Sequence, residues 1–334
     1  MELLERGTLR RAVIASAVVL AVIVVITKLF NADLSALSRI DPIVFILTLA
    51  LLTGVLLVKA LKFYVGVRLI REDDEVAFKE LMRVRLASEF LSLISVSYVG
   101  DEAFRIAWMS LRGYEPDRAF FIAYVEVLGE VIVASILALL AAISIFPENE
   151  PMGTLIAVSV LVTVSFHSSA IMAAKLGLGS RIRIGEGRIR KLVHWAFEYL
   201  SGLRLAADSL TGKGRAFKVL SLNVLLSTLS AVLSSLSFFL VASSMMSNIT
   251  LVDSLLSLYS ALALSSLPVT IGGAGIMEVT MGYFLTTVRP GCDPWSSVLS
   301  WRLLSFYYPL LLCGLFFSSL SLSSLRGTGE LHRG

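Results

Sequence analysis

Residues 98–105 read YVGDEAFR and interrupt an apolar segment that extends from residue 84 to residue 111. A second interruption, PVTIGGAG at residues 268–275, divides the apolar segment 252–288. Neither segment is long enough to cross a bilayer twice, because one crossing takes about 20 apolar residues. Both are therefore predicted to be re-entrant hairpins, which enter and leave the membrane on the same side. The alternative is two short crossings in each segment, which gives ten helices with the same location of the termini.

The chain around these segments has the composition of a membrane protein. Of its 334 residues, 56% are hydrophobic and 16% are charged, and the mean hydropathy is +0.83. Soluble domains average about 45–50% apolar and about 25% charged residues. The predicted fold class is all-α, a polytopic membrane helix bundle that forms one transmembrane domain over residues 1–334. Six full crossings are predicted, at residues 12–29, 42–63, 119–146, 154–175, 217–245 and 298–325.

The charges of the loops predict the orientation, because Lys and Arg concentrate on the cytoplasmic side. Basic residues precede residue 12 and recur over residues 59–85 and 175–218. The stretches 31–41 and 146–151 are poor in positive charge. A multi-pass protein of the plasma membrane with both termini in the cytoplasm is predicted.

This orientation divides most of the chain into two similar units. Residues 42–146 and residues 217–325 each comprise a span, a broken hairpin and a second span, and the two units have opposite orientations. Such an inverted repeat is common in transporters, where paired Gly- or Pro-interrupted segments indicate the binding site. Between the units, residues 176–216 are predicted to form an amphipathic linker on the inner leaflet.

Ionisable residues at membrane depth are functional candidates, because a charge at a helix centre costs about 2.5–3.5 kcal/mol there. Their mixed signs make mutual pairing feasible. The candidates are Asp101, Glu102 and Arg105 at the first break, Glu126 and Glu130 in the next span, Glu278 after the second break, and Arg302 in the last span. With three His and two Cys in the chain, no metal site and no cofactor is predicted, and no nucleic-acid partner is implied.

At the first break, Arg105 is predicted to bind a lipid phosphate, while Asp101 and Glu102 hold it in place or exchange protons. The alternative is a helix cap, in which the two acids stabilise the helix N-terminus and Arg105 pairs with Asp101 one turn away. Glu126 and Glu130 share a helix face. They are predicted either to relay protons or to neutralise Arg105 and Arg302.

At the second break, Thr270, Gly272, Gly273 and Gly275 are predicted to bind a phosphate. Glycines allow close approach of the backbone, and the following helix N-terminus presents amide donors to an anion. The alternative is a simple helix break after Pro268. The Gly-Lys-Ser/Thr ending of a nucleotide-binding loop is missing from this stretch, so ATP is not the expected ligand.

The strings YVGDEAFRIAWM, LPVTIGGAGIMEV and WRLLSFYYPLLLCG resemble signature regions of the lysylphosphatidylglycerol synthase transmembrane family of flippase-like membrane proteins. The family's elements occur in the same order and fall here on residues 100–105, 126–130 and 268–278 and on Arg302. The resemblance implies movement of a phospholipid or a polyprenyl-phosphate-linked head group between leaflets. Larger members of the family carry a soluble aminoacyl transferase domain, which this sequence does not include, so synthase activity is not expected.

The leading hypothesis is a flippase-like lipid translocase in which the two hairpin tips meet near the midplane around a polar cavity. Arg105 and Arg302 would bind phosphate, and Glu126, Glu130 and Glu278 would balance charge or carry protons. Membrane lipids are the expected partners.

Two alternatives remain open at this point. The first is a membrane enzyme acting on lipid-linked sugars or phosphates, with Asp101, Glu102 or the Glu126 and Glu130 pair as acid and base. The second is an accessory subunit that positions a separate glycosyltransferase or a lipid-modifying synthase.

Overall fold

The computed structural model describes residues 2–70, 76–95, 99–176, 204, 214–266, 270 and 273–331. These residues form ten α-helices, which confirms the predicted all-α fold. The helices are α1 (Glu2–Phe30), α2 (Pro42–Ile70), α3 (Phe78–Leu93), α4 (Val99–Leu111), α5 (Pro116–Ile145), α6 (Glu150–Lys175), α7 (Gly214–Ser243), α8 (Leu251–Ser265), α9 (Ile276–Val288) and α10 (Trp295–Leu331), with a 3-10 helix at Leu34–Arg39. The predicted linker over residues 176–216 lies almost entirely outside the described residues.

Six of these helices contain an apolar stretch that is long enough to cross a membrane. The stretches are Val13–Phe30, Pro42–Ile70, Pro116–Ile145, Glu150–Ala173, Gly214–Ser243 and Trp295–Leu320. Each corresponds to one predicted crossing, so the six full spans are confirmed. The main difference is in α2, which continues past residue 63 to Ile70. The basic loop predicted over residues 59–85 is therefore wrong, because most of that range belongs to α2 and α3.

The two interrupted segments form pairs of short helices. The arms α3 and α4 have 16 and 13 residues, and α8 and α9 have 15 and 13. At 1.5 Å per residue each arm is about 20–24 Å long, which is less than the roughly 30 Å of a hydrocarbon core. The two arms of each pair pack against each other. This geometry fits the re-entrant hairpins, whose re-entrance stays a prediction.

The helices α2 and α7 form the central pair of the bundle, and they run antiparallel. Leu69 at the end of α2 shares an apolar cluster with Val219 near the start of α7. Val44 at the start of α2 packs in a cluster with Phe238 near the end of α7. Between these ends, a Cβ on Gly54 would lie 3.4 Å from the Leu233 side chain.

The remaining helices pack across this central pair in a reciprocal way. The last helix of the first unit, α5, packs on α7 and α8, which are the first two helices of the second unit. The last helix of the second unit, α10, packs on α2 and α3 of the first. The two units therefore exchange equivalent contacts, as the two sides of a self-complementary interface do.

Helix α1 lies outside both units and covers their interrupted segments. One stripe of α1, with Val19 and Ile23, packs in an apolar cluster with Ile94 at the end of α3 and Ala274 in the second break. The stripe has helical spacing, while the flanking side chains are exposed, as a lipid-facing helix requires. Residues at both breaks therefore meet in one cluster under α1.

We expect Gly282→Ala to lower the free energy of unfolding by about 1–3 kcal/mol, the usual range for overpacking. A Cβ at position 282 would overlap the Trp295 ring. That ring is held by Phe30, stacked with 3.6 Å between ring centroids, and by Tyr283 edge-on. Equilibrium unfolding in a titration of dodecyl sulfate against mild detergent measures the change.

The matched control is Gly54→Ala, because both positions are helical and the added Cβ would make only an ordinary contact with Leu233. The gain in helix propensity is the same at both sites, so it cancels in the comparison. Equal unfolding free energies for the two variants would contradict the proposed close packing at Gly282.

Candidate functional site

Four ionised side chains around the first break form a closed ring of alternating charge, called here the charge ring. Arg85 Nη1 lies 3.4 Å from Asp101 Oδ2, and Arg85 Nε lies 3.2 Å from Glu126 Oε2. Arg105 Nη2 lies 3.3 Å from Asp101 Oδ1, and Arg105 Nη1 lies 2.7 Å from Glu126 Oε2. The charge ring joins α3, α4 and α5 across the interruption, and all four residues are buried.

The start of α4 is placed against the end of α3 by Gly100. A Cβ at this position would lie 2.9 Å from the carbonyl oxygen of Leu91 and 3.0 Å from Ser95 Oγ, so only glycine allows this approach. The Gly100 N–H donates to the same Ser95 hydroxyl. This packing brings Asp101, in the first turn of α4, next to α3.

Two lysines of α2 extend the network of charges. Lys59 donates to Glu89 at 2.6 Å, and Glu89 also accepts from Arg85 at 2.8 Å. Lys62 donates to Glu130 at 2.6 Å. The Lys62 side chain is fully buried, whereas 46% of the Glu130 side chain is exposed. Glu130 lies near the middle of the 30-residue α5, where a charge is stable only if protein or a watery cavity surrounds it.

The ion pairs of the charge ring leave part of its hydrogen-bonding capacity unused. Within the described part of the chain, Asp101 Oδ1, Arg105 Nη1 and Glu126 Oε1 are buried and have no hydrogen-bond partner. Buried polar atoms are nearly always hydrogen-bonded in proteins, so such atoms indicate a strained or functional position. The charges in the ring are balanced, but its donors and acceptors are not all matched.

Arg105 is the clearest anion-binding candidate of this network. Its side chain is 1% exposed and lies over the Phe63 ring, with 5.7 Å between the guanidinium carbon and the ring centroid. Its Nε donates one long bond of 3.4 Å to the carbonyl oxygen of Asp101. The 2.7 Å contact of Nη1 with Glu126 is not aligned as a hydrogen bond. A guanidinium with unused donors suits a phosphate, which accepts two parallel N–H bonds.

The predicted roles of the acidic residues are partly changed by this geometry. Asp101 lies one turn from Arg105, as the helix-cap alternative expects, and also contacts Arg85. Glu126 neutralises Arg105, in agreement with one of its two predicted roles. The predicted neutralisation of Arg302 by Glu126 or Glu130 is wrong, because Arg302 pairs with Glu278 and Glu130 pairs with Lys62.

Four members of the network were not among the predicted site residues. They are Lys59, Lys62, Arg85 and Glu89. Three of them fall in the range 59–85, which was predicted to be a basic loop, and Glu89 falls in the interrupted segment 84–111. A signal for them exists in the sequence. Arg85 and Glu89 are four residues apart, which is the spacing of a helical ion pair, and the two lysines are three apart at the end of an apolar run.

At the second break, an ion pair connects the glycine loop to the last helix. Arg302 Nε donates to Glu278 Oε1 at 2.7 Å, and Glu278 Oε2 accepts from the Gly275 N–H at 2.6 Å. Glu278 is completely buried. Gly273 and Gly275 have φ values of +69° and +87°, which residues with a Cβ rarely adopt. These two glycines therefore form the turn that opens α9.

The donors of this turn are partly used within the protein. The Gly275 N–H is bonded to Glu278, and the Met277 N–H donates to the Gly273 carbonyl oxygen at 3.0 Å. Thr270 Oγ1 is buried and has no hydrogen-bond partner among the described residues. Gly272, which was predicted to join the same phosphate site, lies outside the described residues. Phosphate binding by this loop stays a prediction.

Two surface grooves of the described bundle are lined by apolar side chains. The larger, of about 450 Å³, lies between α5 and α6. The smaller, of about 180 Å³, lies between α2, α3 and α10 and includes Leu56, Leu86 and Phe316. Such grooves suit acyl chains. The predicted polar cavity between the two hairpin tips stays a prediction.

Residues 12–313 match the family described as Lysylphosphatidylglycerol synthase TM region. The matched range contains both interrupted segments, the charge ring and the ion pair of Arg302. No curated protein matches the chain.

Proposed function

We propose that this protein is a lipid translocase. The chain belongs to the lysylphosphatidylglycerol synthase TM region family, and it is a multi-pass membrane protein of lipid-related processes. Its substrate would be a phospholipid or a polyprenyl-phosphate-linked head group, which it moves between the two leaflets. The observation that carries this proposal is Arg105, a buried guanidinium with an unused donor inside a membrane helix bundle. An anion is the ligand that such a group binds.

The arrangement of the two units supports a carrier mechanism. The antiparallel α2 and α7, together with the exchanged contacts of α5 and α10, are what an inverted repeat requires. In carriers built this way, the substrate binds between the halves at interrupted helices, and the halves then rock about the bound substrate. We infer that α2–α5 and α7–α10 are two such halves, and that the helix pairs α3–α4 and α8–α9 are re-entrant.

The second break would provide the other half of the site. Arg302 and Thr270 would contact the head group, with Gly272, Gly273 and Gly275 allowing its close approach. Glu278 would hold Arg302 in place, as its 2.7 Å contact indicates. Asp101, Glu102, Glu126 and Glu130 would balance the charge of the arginines and exchange protons.

The proposed location is the plasma membrane, with both termini in the cytoplasm. Basic residues support this orientation because they favour the cytoplasmic side. The end of α2 and the start of α3 carry Arg68, Lys79 and Arg83. Tagging of each terminus with a reporter that is active on one side only would test it.

We expect purified wild-type protein to move a fluorescent anionic phospholipid across the bilayer of reconstituted vesicles, and Arg105→Gln to lower the rate at least tenfold. The loss of one charge-assisted contact to phosphate in a water-excluded site accounts for about this factor. Quenching of the outer-leaflet fluorophore by dithionite measures the movement.

The control is Arg118→Gln, which removes an exposed arginine that pairs with Glu115 near the start of α5. This variant should keep the wild-type rate. Wild-type vesicles that move lipid no faster than empty vesicles would overturn the proposal. A chemically altered lipid in the same vesicles would favour a membrane enzyme instead.

A further inference from the structure

The charge ring holds a carboxylate in the place that a bound phosphate would occupy. Glu126 Oε2 lies between both arginines, 2.7 Å from Arg105 Nη1 and 3.2 Å from Arg85 Nε. Arg105 Nη1 has no hydrogen-bond partner among the described residues, and a phosphate oxygen that accepts from it would come into contact with Glu126 Oε2. The two anions would repel each other, so the phosphate would take the place of Glu126 on that side of the ring. Binding is an exchange of one anion for another.

This exchange would leave the buried network with an excess negative charge. Its ion-paired members are four cations and four carboxylates, so their formal charges cancel. The cations are Lys59, Lys62, Arg85 and Arg105, and the carboxylates are Glu89, Asp101, Glu126 and Glu130. A phosphate monoanion adds one negative charge, which is unfavourable in a buried site unless a partner compensates for it. Glu102 is half-buried beside Asp101 and is not one of these eight ion-paired residues.

Uptake of one proton by a carboxylate restores the balance, and Glu126 is the group best placed to accept it. Asp101 lies in the first turn of α4, where the helix N-terminus favours its ionised form. Glu126 lies inside α5, has no such support, and loses its shortest ion contact when phosphate takes Arg105. Its second oxygen, Oε1, is buried and has no hydrogen-bond partner among the described residues.

The network has an exposed member one helical turn from Glu126. Glu130 is four residues after Glu126, and nearly half of its side chain is exposed at the middle of α5. An exposed charge at this depth is stable beside a watery crevice and unstable beside acyl chains. The exposed carboxylate of Glu130 would therefore be the route by which a proton enters and leaves the network.

We propose that lipid movement by this protein, which depends on the translocase function above, is coupled to protonation of Glu126. The phosphate displaces Glu126 from Arg105, and a proton from water forms an O–H bond on the freed carboxylate. When the phosphate leaves on the other side, Glu126 returns its proton to water and pairs with Arg105 again. One proton accompanies each phosphate monoanion, so the step is electrically neutral.

The groups that face Glu126 come from the helices packed against α5. Arg85 and Arg105 contact it directly, and the other charged groups of the network surround this centre. On the remaining faces of α5, α7 packs through the uncharged Asn223, and α6 contributes His167, which is hydrogen-bonded to Tyr124. The titratable and charged groups around Glu126 on these helices, taken helix by helix, are Lys59 and Lys62 of α2, Arg85 and Glu89 of α3, Asp101, Glu102 and Arg105 of α4, Glu130 of α5, His167 of α6, and Tyr259 of α8.

The test uses vesicles with the full-length protein, a labelled phosphatidylglycerol, and a pH difference of one unit imposed across the bilayer, with the membrane potential clamped to zero. For one-to-one coupling, the lipid should accumulate tenfold in the leaflet on the alkaline side, because the lipid ratio balances the proton ratio. Glu126→Gln cannot take up the proton, so its lipid distribution should not respond to the pH difference. Glu80→Gln, which removes an exposed carboxylate paired with Arg112, should respond as the wild type does.

The outcomes separate this inference from the translocase function. Equal lipid in both leaflets with the wild-type protein, despite the pH difference, would overturn proton coupling and leave the translocase function in place. A full response by Glu126→Gln would overturn the assignment to Glu126. An absence of any lipid movement by the wild type would overturn both.

Discussion

Replacement of Arg85 by methionine is expected to lower the free energy of unfolding by about 3–5 kcal/mol, which is the typical loss when one partner of a buried ion pair is removed. Arg85 contacts three buried carboxylates, those of Glu89, Asp101 and Glu126. Methionine has a similar shape and no charge, so it leaves these acids with less compensation. Unfolding in a dodecyl sulfate titration measures the loss.

Two further variants make this result specific. Arg112→Met removes an arginine whose pair with Glu80 is exposed on both sides, and it should cost only about 0–1 kcal/mol. Adding Glu126→Gln to Arg85→Met should recover part of the loss, because one unpaired charge disappears with it. A loss for Arg85→Met no larger than that for Arg112→Met would show that the charge ring does not stabilise the fold.

The second large effect is expected at Arg302, where replacement by methionine should also cost about 3–5 kcal/mol. Glu278 is completely buried, and Arg302 is its ion-pair partner. Glu278 also holds the N–H of Gly275, so the turn at the second break should loosen when Arg302 is lost. The same unfolding titration, together with limited proteolysis at the turn, measures both consequences.

The double variant Arg302→Met with Glu278→Met shows whether the loss of stability comes from the unpaired carboxylate or from the lost packing of the arginine. A buried pair replaced by two apolar residues of similar volume is often neutral in stability. We therefore expect the double variant to be more stable than Arg302→Met alone. The reverse order would mean that the effect comes from lost packing of the arginine, for example over the Phe306 ring, rather than from the unpaired carboxylate.

The spans were predictable because an apolar stretch of about 20 residues, in a chain of this composition, usually forms a membrane helix. Residues 154–175 were predicted as a span, and α6 covers Glu150–Lys175. The end of α2 was not predictable in this way. Lys59 and Lys62 resemble the start of a cytoplasmic loop, and only the partners Glu89 and Glu130, 30 and 68 residues later, make their burial possible.

The candidate site was predictable in its residues but not in its pairs. Seven ionisable candidates were identified because charge is rare and expensive at membrane depth. Their partners depend on helix packing, which local sequence does not specify. Glu126 pairs with Arg85, which is 41 residues earlier in the sequence, and Arg302 pairs with Glu278, which is 24 residues earlier. Arg85 itself was missed because a basic residue near a helix end is usually a topology signal.

The charge ring also has a consequence for the insertion of the chain during synthesis, because Glu126 of α5 pairs with arginines of the two preceding helices. Helices α3 and α4 leave the ribosome before α5, which carries Glu126, so their arginines have no complete set of partners when they first reach the translocon. A charge without partners is costly in lipid. We therefore expect the α3–α4 pair to stay at the membrane surface until α5 has been made, and to take its final place together with that later helix.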